Sequence, residues 1–370
     1  MLRYSLLIFM GWFSFAVFAQ ETPAYWQLNL GYGSAIKHRE SMGHLVTEHP
    51  YLFQLSWAKT SDTTTVWKKR LNYPDVGVTL SHERFRNEFL GNVTGLSYFT
   101  NYYLLNRNHR NQLTTELGFG ISYADSPMDL ETNNQNNAIT SSILFNQYLK
   151  FNYKYPQIYK GVGIQTGLTF IHFSNASFKS PNNGINSIFL NVGLNFNPTT
   201  QTILYPEKKN YKDVQTKKPF SLHMKLGLGL HEVYPGLGTK PVYTFSTMLS
   251  KPITNYAHLQ TGVDFFASMA AKKYATFQYI AGYNQVDEVK DYKQIGAFVG
   301  YEYYFEKLSM ESQVGYYLYD PLHLNLDLYG RLGLKYHFVN QPFSIGMALK
   351  IHNFKADYTT LDFQYTIGGF

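Results

Sequence analysis

Residues 113–123 read LTTELGFGISY. Leu113, Thr115, Leu117, Phe119, Ile121 and Tyr123 fall on one face, and Thr114, Glu116, Gly118, Gly120 and Ser122 on the other. Such a period of two belongs to a β-strand, whose successive side chains point to opposite faces. Residues 220–231 repeat the pattern, with Phe220, Leu222, Met224, Leu226, Leu228 and Leu230 set against Ser221, His223, Lys225, Gly227, Gly229 and His231. Residues 324–338 do so again and place Asp327, Arg331, Lys335 and His337 on the polar face. Alternation alone does not separate a soluble sandwich from a membrane barrel, because the barrel only inverts which face meets water. Length separates them. These stretches reach the roughly 9–11 residues of a tilted membrane strand, whereas a globular strand is typically about 5–6.

Composition points the same way. Aromatics are 17 % of the chain, with 32 Tyr and 28 Phe, and charged residues are only 15 %. A soluble domain carries about 25 % charged residues. A barrel uses Tyr and Phe at the interfaces, apolar groups toward lipid and polar groups inside. The net charge of +7 comes from scattered basic residues with no basic helix, which fits anionic headgroups and not nucleic acid. The chain has no cysteine, which excludes thiol catalysis, lipid attachment through Cys and thiolate metal sites. No cofactor and no metal site are expected.

Residues 1–19 read as a secretory signal: Arg3 starts it, Leu6 to Phe18 is nearly all apolar, and Val17-Phe18-Ala19 suits cleavage before Gln20. No later stretch nears the roughly 20 apolar residues of a membrane helix. The expected class is therefore all-β, an antiparallel transmembrane β-barrel in a bacterial outer membrane. Sixteen candidate strands are found at 24–33, 49–58, 75–83, 89–101, 111–123, 138–152, 161–174, 185–197, 219–231, 241–251, 256–267, 292–305, 310–319, 324–338, 342–352 and 357–367. Fourteen remain if two are miscounted. Residues 198–218, with two prolines and the charge-rich run Glu207 to Lys218, break the pattern. The expected division is 1–19 signal peptide, 20–197 eight strands, 198–218 linker or loop, and 219–370 further strands. Whether the halves close as one barrel stays open. The end at Phe370, after Leu361, Phe363, Tyr365 and Ile367, resembles an assembly signal of outer-membrane proteins although it is out of step, so contact with the barrel-assembly machinery is expected.

Chemistry concentrates in residues 168–194, LTFIHFSNASFKSPNNGINSIFLNVGL. His172 and Ser174 share a strand face with Val162, Ile164, Leu168 and Phe170, and the returning strand adds Asn186 on that face with Ile188, Leu190 and Val192. In a membrane barrel that is the lipid face. A Ser beside a His is the minimal activated nucleophile, and a third group fixes the His tautomer. Polar groups there belong near the headgroup layer, where burial costs less.

The run His172-Phe173-Ser174-Asn175-Ala176, followed by Pro181-Asn182-Asn183-Gly184-Ile185, resembles the signature of the PagL-type lipid A 3-O-deacylases. The likeness covers about residues 20–197 as an eight-strand pattern and is specific over 170–190. It implies an outer-membrane enzyme that hydrolyses an ester-linked acyl chain of lipid A, the lipid part of lipopolysaccharide. It further implies Ser174 as nucleophile and His172 as general base, with Asn175 and Ser177 near the oxyanion and Asn182 ordering the turn. The family's acidic third residue falls on Asn186, a departure, since an amide orients the ring but carries no charge. Lys37, Arg39, Arg84, Arg86 and Lys179 are candidate phosphate contacts on outer loops, or ordinary solvated charges. A non-enzymatic pore or structural barrel is the second reading, because the later strands carry a charged lumen. Lys350 and His352 there point inward with Asp362 as part of a polar network.

Overall fold

The computed structural model describes residues 23–37, 39–198, 204–206, 219–282, 292–305, 307–353 and 355–368. The expected signal peptide, nearly all of 198–218 and Phe370 lie outside them. Among the described residues sixteen strands form, each overlapping a stretch that alternation marks. They are β1 (Ala24–Ala35), β2 (Tyr51–Lys59), β3 (Asp75–Arg84), β4 (Asn92–Tyr103), β5 (Gln112–Ala124), β6 (Ile143–Tyr159), β7 (Val162–Ser174) and β8 (Ile185–Phe196). Then follow β9 (Ser221–His231), β10 (Lys240–Thr254), β11 (Ala257–Ser268), β12 (Lys293–Phe305), β13 (Leu308–Tyr319), β14 (Leu328–His337), β15 (Phe343–His352) and β16 (Lys355–Ile367). Among the described residues three helical segments were not foreseen: a 3-10 helix (Glu40–Leu45) between β1 and β2, α1 (Val66–Arg70) between β2 and β3, and α2 (Met269–Ile280) between β11 and β12. The β6–β7 ladder slips between Tyr155 and Tyr159, around Pro156, whose nitrogen has no hydrogen to give the ladder.

The open question of closure has a definite answer. The strands close as two barrels of eight and not as one of sixteen. β8 returns to β1, pairing Trp26 with Phe196 and Ser34 with Ile188, and β16 returns to β9, pairing Thr359 with Leu230. The size difference matters physically. A 16-stranded wall encloses an aqueous channel, whereas about eight strands leave room only for side chains.

The interiors are filled accordingly. In the first barrel Lys150 Nζ lies 2.9 Å from Glu116 Oε1, which also accepts from the Tyr148 hydroxyl at 2.7 Å. In the second, Lys335 Nζ sits 2.7 Å from Glu302 and 2.8 Å from Glu311, while Lys225 Nζ is 2.6 Å from Glu311. Arg331 joins Asp264 at 3.0 Å and Asp362 at 3.2 Å. Lys350 and His352 both approach Asp357, at 3.5 and 3.3 Å. Buried charges persist only when paired and hydrogen-bonded, and these are. The outward faces are the opposite: Leu117, Phe119, Ile121 and Tyr123 of β5 and Leu226, Leu228 and Leu230 of β9 are all exposed. An apolar belt of that extent around both barrels is compatible with lipid and not with water.

At one end of the second barrel β10 and β11, β12 and β13, and β14 and β15 follow each other within at most five residues, while the other end carries the connections 232–239 and 320–327 and helix α2, with β15 and β16 two residues apart. Short periplasmic turns and longer outer loops are the rule for such barrels. The loop between β7 and β8 lies at the long-loop end, as its contacts with residues 232–239 show. At the opposite end the guanidinium of Arg70 stacks 3.5 Å over the ring of Tyr256. The barrels thus stand side by side, joined at both rims.

Candidate active site

β7 and β8 pair so that His172 faces Asn186 across the ladder, and β6 sets Phe145 beside Ser174 and Gln147 beside His172. Alternation then fixes which way each side chain points. His172, Ser174 and Asn186 are partly exposed on the outer wall, above exposed Phe170, Leu168, Ile188 and Leu190. Ile171, Phe173 and Ile185 point inward and are fully buried. They join Met42, Leu45, Phe85 and Ile139 in an apolar cluster that closes the outer mouth of the first barrel. Burying such side chains stabilises by about 1.5–3 kcal/mol each. The strand end that carries His172 and Ser174 is therefore firmly anchored from behind.

The side-chain geometry is direct. His172 Nδ1 lies 2.6 Å from Asn186 Oδ1. With Nδ1–H donating to that oxygen, Nε2 is the basic nitrogen of the ring. Gly184 precedes β8 with φ +68°, a backbone region that suits glycine. A Cβ at 184 would stand 2.9 Å from His172 Cε1 and 3.4 Å from Ser174 Cβ, so both side chains rest against this one glycine. Glu83 meets β8 from the other side of the wall, accepting from Ser187 Oγ at 2.5 Å.

The loop 175–184 is held by its asparagines. Asn175 is wholly buried, and its Nδ2 donates to Thr140 Oγ1 and to the Lys179 carbonyl, both at 2.8 Å. Its Oδ1 accepts from the Ser177 N–H at 2.9 Å. Asn182 Oδ1 accepts from the Asn175 N–H at 3.2 Å. Asn175 and Asn182 thus support the turn. Ser177 Oγ turns away and donates to the Ala356 carbonyl of the second barrel at 2.9 Å. Ala176 and Ser177 both take positive φ, 52° and 62°, which is uncommon for residues with a Cβ and needs surroundings that enforce it.

Of the basic residues expected on outer loops, Lys37 pairs with Glu40 at 3.7 Å and Arg86 with Glu48 at 3.5 Å. Arg39, Arg84 and Lys179 are exposed. Sequence reasoning missed Gly184, although a glycine just before a returning strand is a signal for positive φ. It also missed Gln147, exposed beside His172, and Glu232, whose contacts depend on how the two barrels dock.

Comparison with known proteins places this geometry. A family model described as lipid A 3-O-deacylase (PagL) matches residues 52–195, which include β7, β8 and the loop between them. The first barrel is similar to the lipid A 3-O-deacylase family over that stretch. A second model, described as the C-terminal domain of acyloxyacyl hydrolase, matches residues 220–369, the second barrel. The barrel fold and the two matches indicate an outer-membrane protein similar to lipid A-acting hydrolases. Among solved structures, the crystal structure of the outer membrane enzyme PagL is 17 % identical, with 45 % of this chain and 97 % of that one covered and a TM-score of 0.33. A mutant porin of Rh. blastica is 6 % identical over 93 % of this chain and 100 % of its own, with a TM-score of 0.17. CdiB from Acinetobacter baumannii is 9 % identical over 94 % of this chain and 60 % of its own, with a TM-score of 0.18. The two family models, and not these superpositions, carry the assignment of the deacylase barrel. No curated protein matches the chain.

Proposed function

We propose that the deacylase barrel hydrolyses an ester-linked acyl chain of lipid A, with Ser174 as nucleophile, His172 as general base and Asn186 as the residue that orients the imidazole. The observation that carries this reading is the 2.6 Å contact between His172 Nδ1 and Asn186 Oδ1 on the lipid-facing wall. It selects the tautomer in which Nε2 accepts the serine proton.

The reaction follows from those roles. The acyl chain lies along the apolar wall formed by Phe170, Leu168, Ile188 and Leu190, with its ester at the level of Ser174. As Ser174 Oγ attacks the carbonyl carbon, its proton passes to His172 Nε2. The tetrahedral intermediate collapses, the bond to the sugar oxygen breaks, and His172 returns the proton to that oxygen. Water then attacks the acyl-serine with the same base, releasing the fatty acid and restoring Ser174. A neutral Asn186 holds the ring through both steps but offers the imidazolium no counter-charge. In a serine protease triad, replacing the acid by its amide costs about 10⁴ in rate by spoiling the tautomer. Here Asn186 presents an oxygen to Nδ1, so the tautomer is kept and the missing term is the charge alone.

The test is mass spectrometry of lipid A from an expressing strain, beside Ser174→Ala. Loss of one hydroxyacyl mass that disappears in the variant is the expected result. Lipid A that stays unchanged in both strains would refute the proposal.

A further inference from the structure

The second barrel touches the first at the very loop that follows Ser174. Among the described residues four hydrogen bonds are seen to cross there. Ser180 N–H donates to Glu232 Oε2 at 2.7 Å, and Ser180 Oγ donates to the Glu232 carbonyl at 2.7 Å. Thr239 Oγ1 donates to the Phe178 carbonyl at 3.0 Å, and Ser177 Oγ donates to the Ala356 carbonyl at 2.9 Å. Glu232 is only 6 % exposed, and its other oxygen accepts from Gly238 N–H at 2.9 Å. A buried carboxylate taking two backbone N–H groups is a strong and directional anchor.

We propose that Glu232 of the second barrel is a positioning residue for the hydrolytic site, clamping loop 175–184 in the conformation that sets Ser174 and His172 side by side against Gly184. This rests on the hydrolase reading above. The connection is a short chain of bonded groups. Glu232 fixes Ser180, and the carbonyl of the preceding Lys179 accepts from Asn175, the residue next to Ser174. In the other direction Ser180 leads through Pro181 to Asn182, which accepts from the Asn175 N–H, and on to Gly184, which bounds the His172 ring. The loop holds two residues with a Cβ at positive φ, and such backbone persists only where its surroundings over-determine it. Its own asparagines supply part of that constraint, and the second barrel supplies the rest at residues 177, 178 and 180. This gives the additional eight strands a role in a reaction whose reacting residues all lie in the first barrel.

The anchor has a chemical signature. Glutamine in place of Glu232 has one acceptor oxygen where two are used, so an NH₂ group would face the N–H of Ser180 or of Gly238. Glu232→Gln is therefore expected to resemble Glu232→Ala and not the wild type. The experiment uses the full chain in detergent micelles with lipid A as substrate. It measures kcat and KM, together with the rate at which a fluorophosphonate labels Ser174. Misplacement of reacting groups by about 1 Å costs up to about 100-fold. Both variants should lose about 10- to 100-fold in kcat and in labelling rate, with KM within about twofold and the heat-modifiable gel shift of the barrels intact. A purely architectural contact would leave kcat and labelling of folded protein unchanged, and that result overturns the inference. If both Glu232 variants fail to fold, Ser177→Ala combined with Thr239→Val removes two other links. That pair should lower kcat about 3- to 10-fold, and wild-type kcat there overturns the inference equally. Ser174-dependent hydrolysis by the wild type, with Glu232 variants indistinguishable from it, sinks this inference alone. A wild type no more active than Ser174→Ala sinks the hydrolase reading itself.

Discussion

Gly184 and His172 are in contact through a missing atom: a Cβ on residue 184 would lie 2.9 Å from His172 Cε1. It would also lie 2.9 Å from the Phe173 carbonyl oxygen, so a side chain has nowhere to retreat but into the imidazole. Alanine at a left-handed position costs about 1–2 kcal/mol in addition. Gly184→Ala should therefore leave both barrels folded while lowering kcat about 100-fold. Circular dichroism and the gel shift report the fold, and hydrolysis of lipid A reports the site. An active Gly184→Ala enzyme would mean that His172 has more freedom than the packing implies.

Asn186 is the position where an added charge is expected to improve the enzyme. Asn186→Glu places a carboxylate against His172 Nδ1 and stabilises the imidazolium that forms as Ser174 loses its proton. The rate should rise about 10-fold or more. Asn186→Leu removes the acceptor and should abolish measurable turnover. Equal activity in the Asn186, Glu and Leu proteins would show that nothing at 186 orients the histidine.

Beneath the first barrel, wholly buried Asp75 accepts from the Tyr103 hydroxyl at 2.6 Å, the Tyr25 hydroxyl at 2.9 Å and the Ser61 N–H at 2.9 Å, and it pairs with Arg107. Tyr205, one of the few described residues between the barrels, donates to the Ser61 carbonyl at 2.9 Å and closes the same cluster. Removing one member of a buried ion pair costs about 3–5 kcal/mol because the other charge is left alone. Asp75→Ala should lower the temperature at which the first barrel loses its compact gel mobility. Unfolding of a separately expressed second barrel gives the unperturbed reference. No shift would mean that Arg107 finds another partner.

The filled interiors predict electrical silence. Lys225, Lys335, Glu302 and Glu311 of the second barrel are at most 3 % exposed and bonded to one another. Purified protein in planar bilayers should show no steady conductance. Sustained open-channel currents would restore the pore reading.

The fold was legible because the alternation is long and uniform, as at Leu113 to Tyr123, and because a slip of one residue would invert every side chain of a strand. The number of barrels was not legible. Closure depends on whether β8 pairs with β1 or with β9, and both offer the same two-faced pattern. Alternation also misled at the outer mouth, where Ile171 and Phe173 occupy inward positions that the rule reserves for polar groups. They are apolar because the loops above need a dry floor. Helix α2 left a local trace: Ser268 caps it by accepting the Ala271 N–H at 3.2 Å, and good helix formers follow. At the site, strand parity placed His172, Ser174 and Asn186 on one face. Glu232 left no trace, since its partner Ser180 is distant in sequence and meets it only through docking.

The two barrels share one chain, and among the described residues no strand crosses between them. In sequence, 24 residues separate Phe196, the end of β8, from Ser221, the start of β9. A short tether raises the effective concentration of one module at another to about the millimolar range. The few rim contacts between the barrels therefore do not have to supply the affinity of a free dimer. They need only choose an orientation, because the covalent link has already fixed the stoichiometry at one of each.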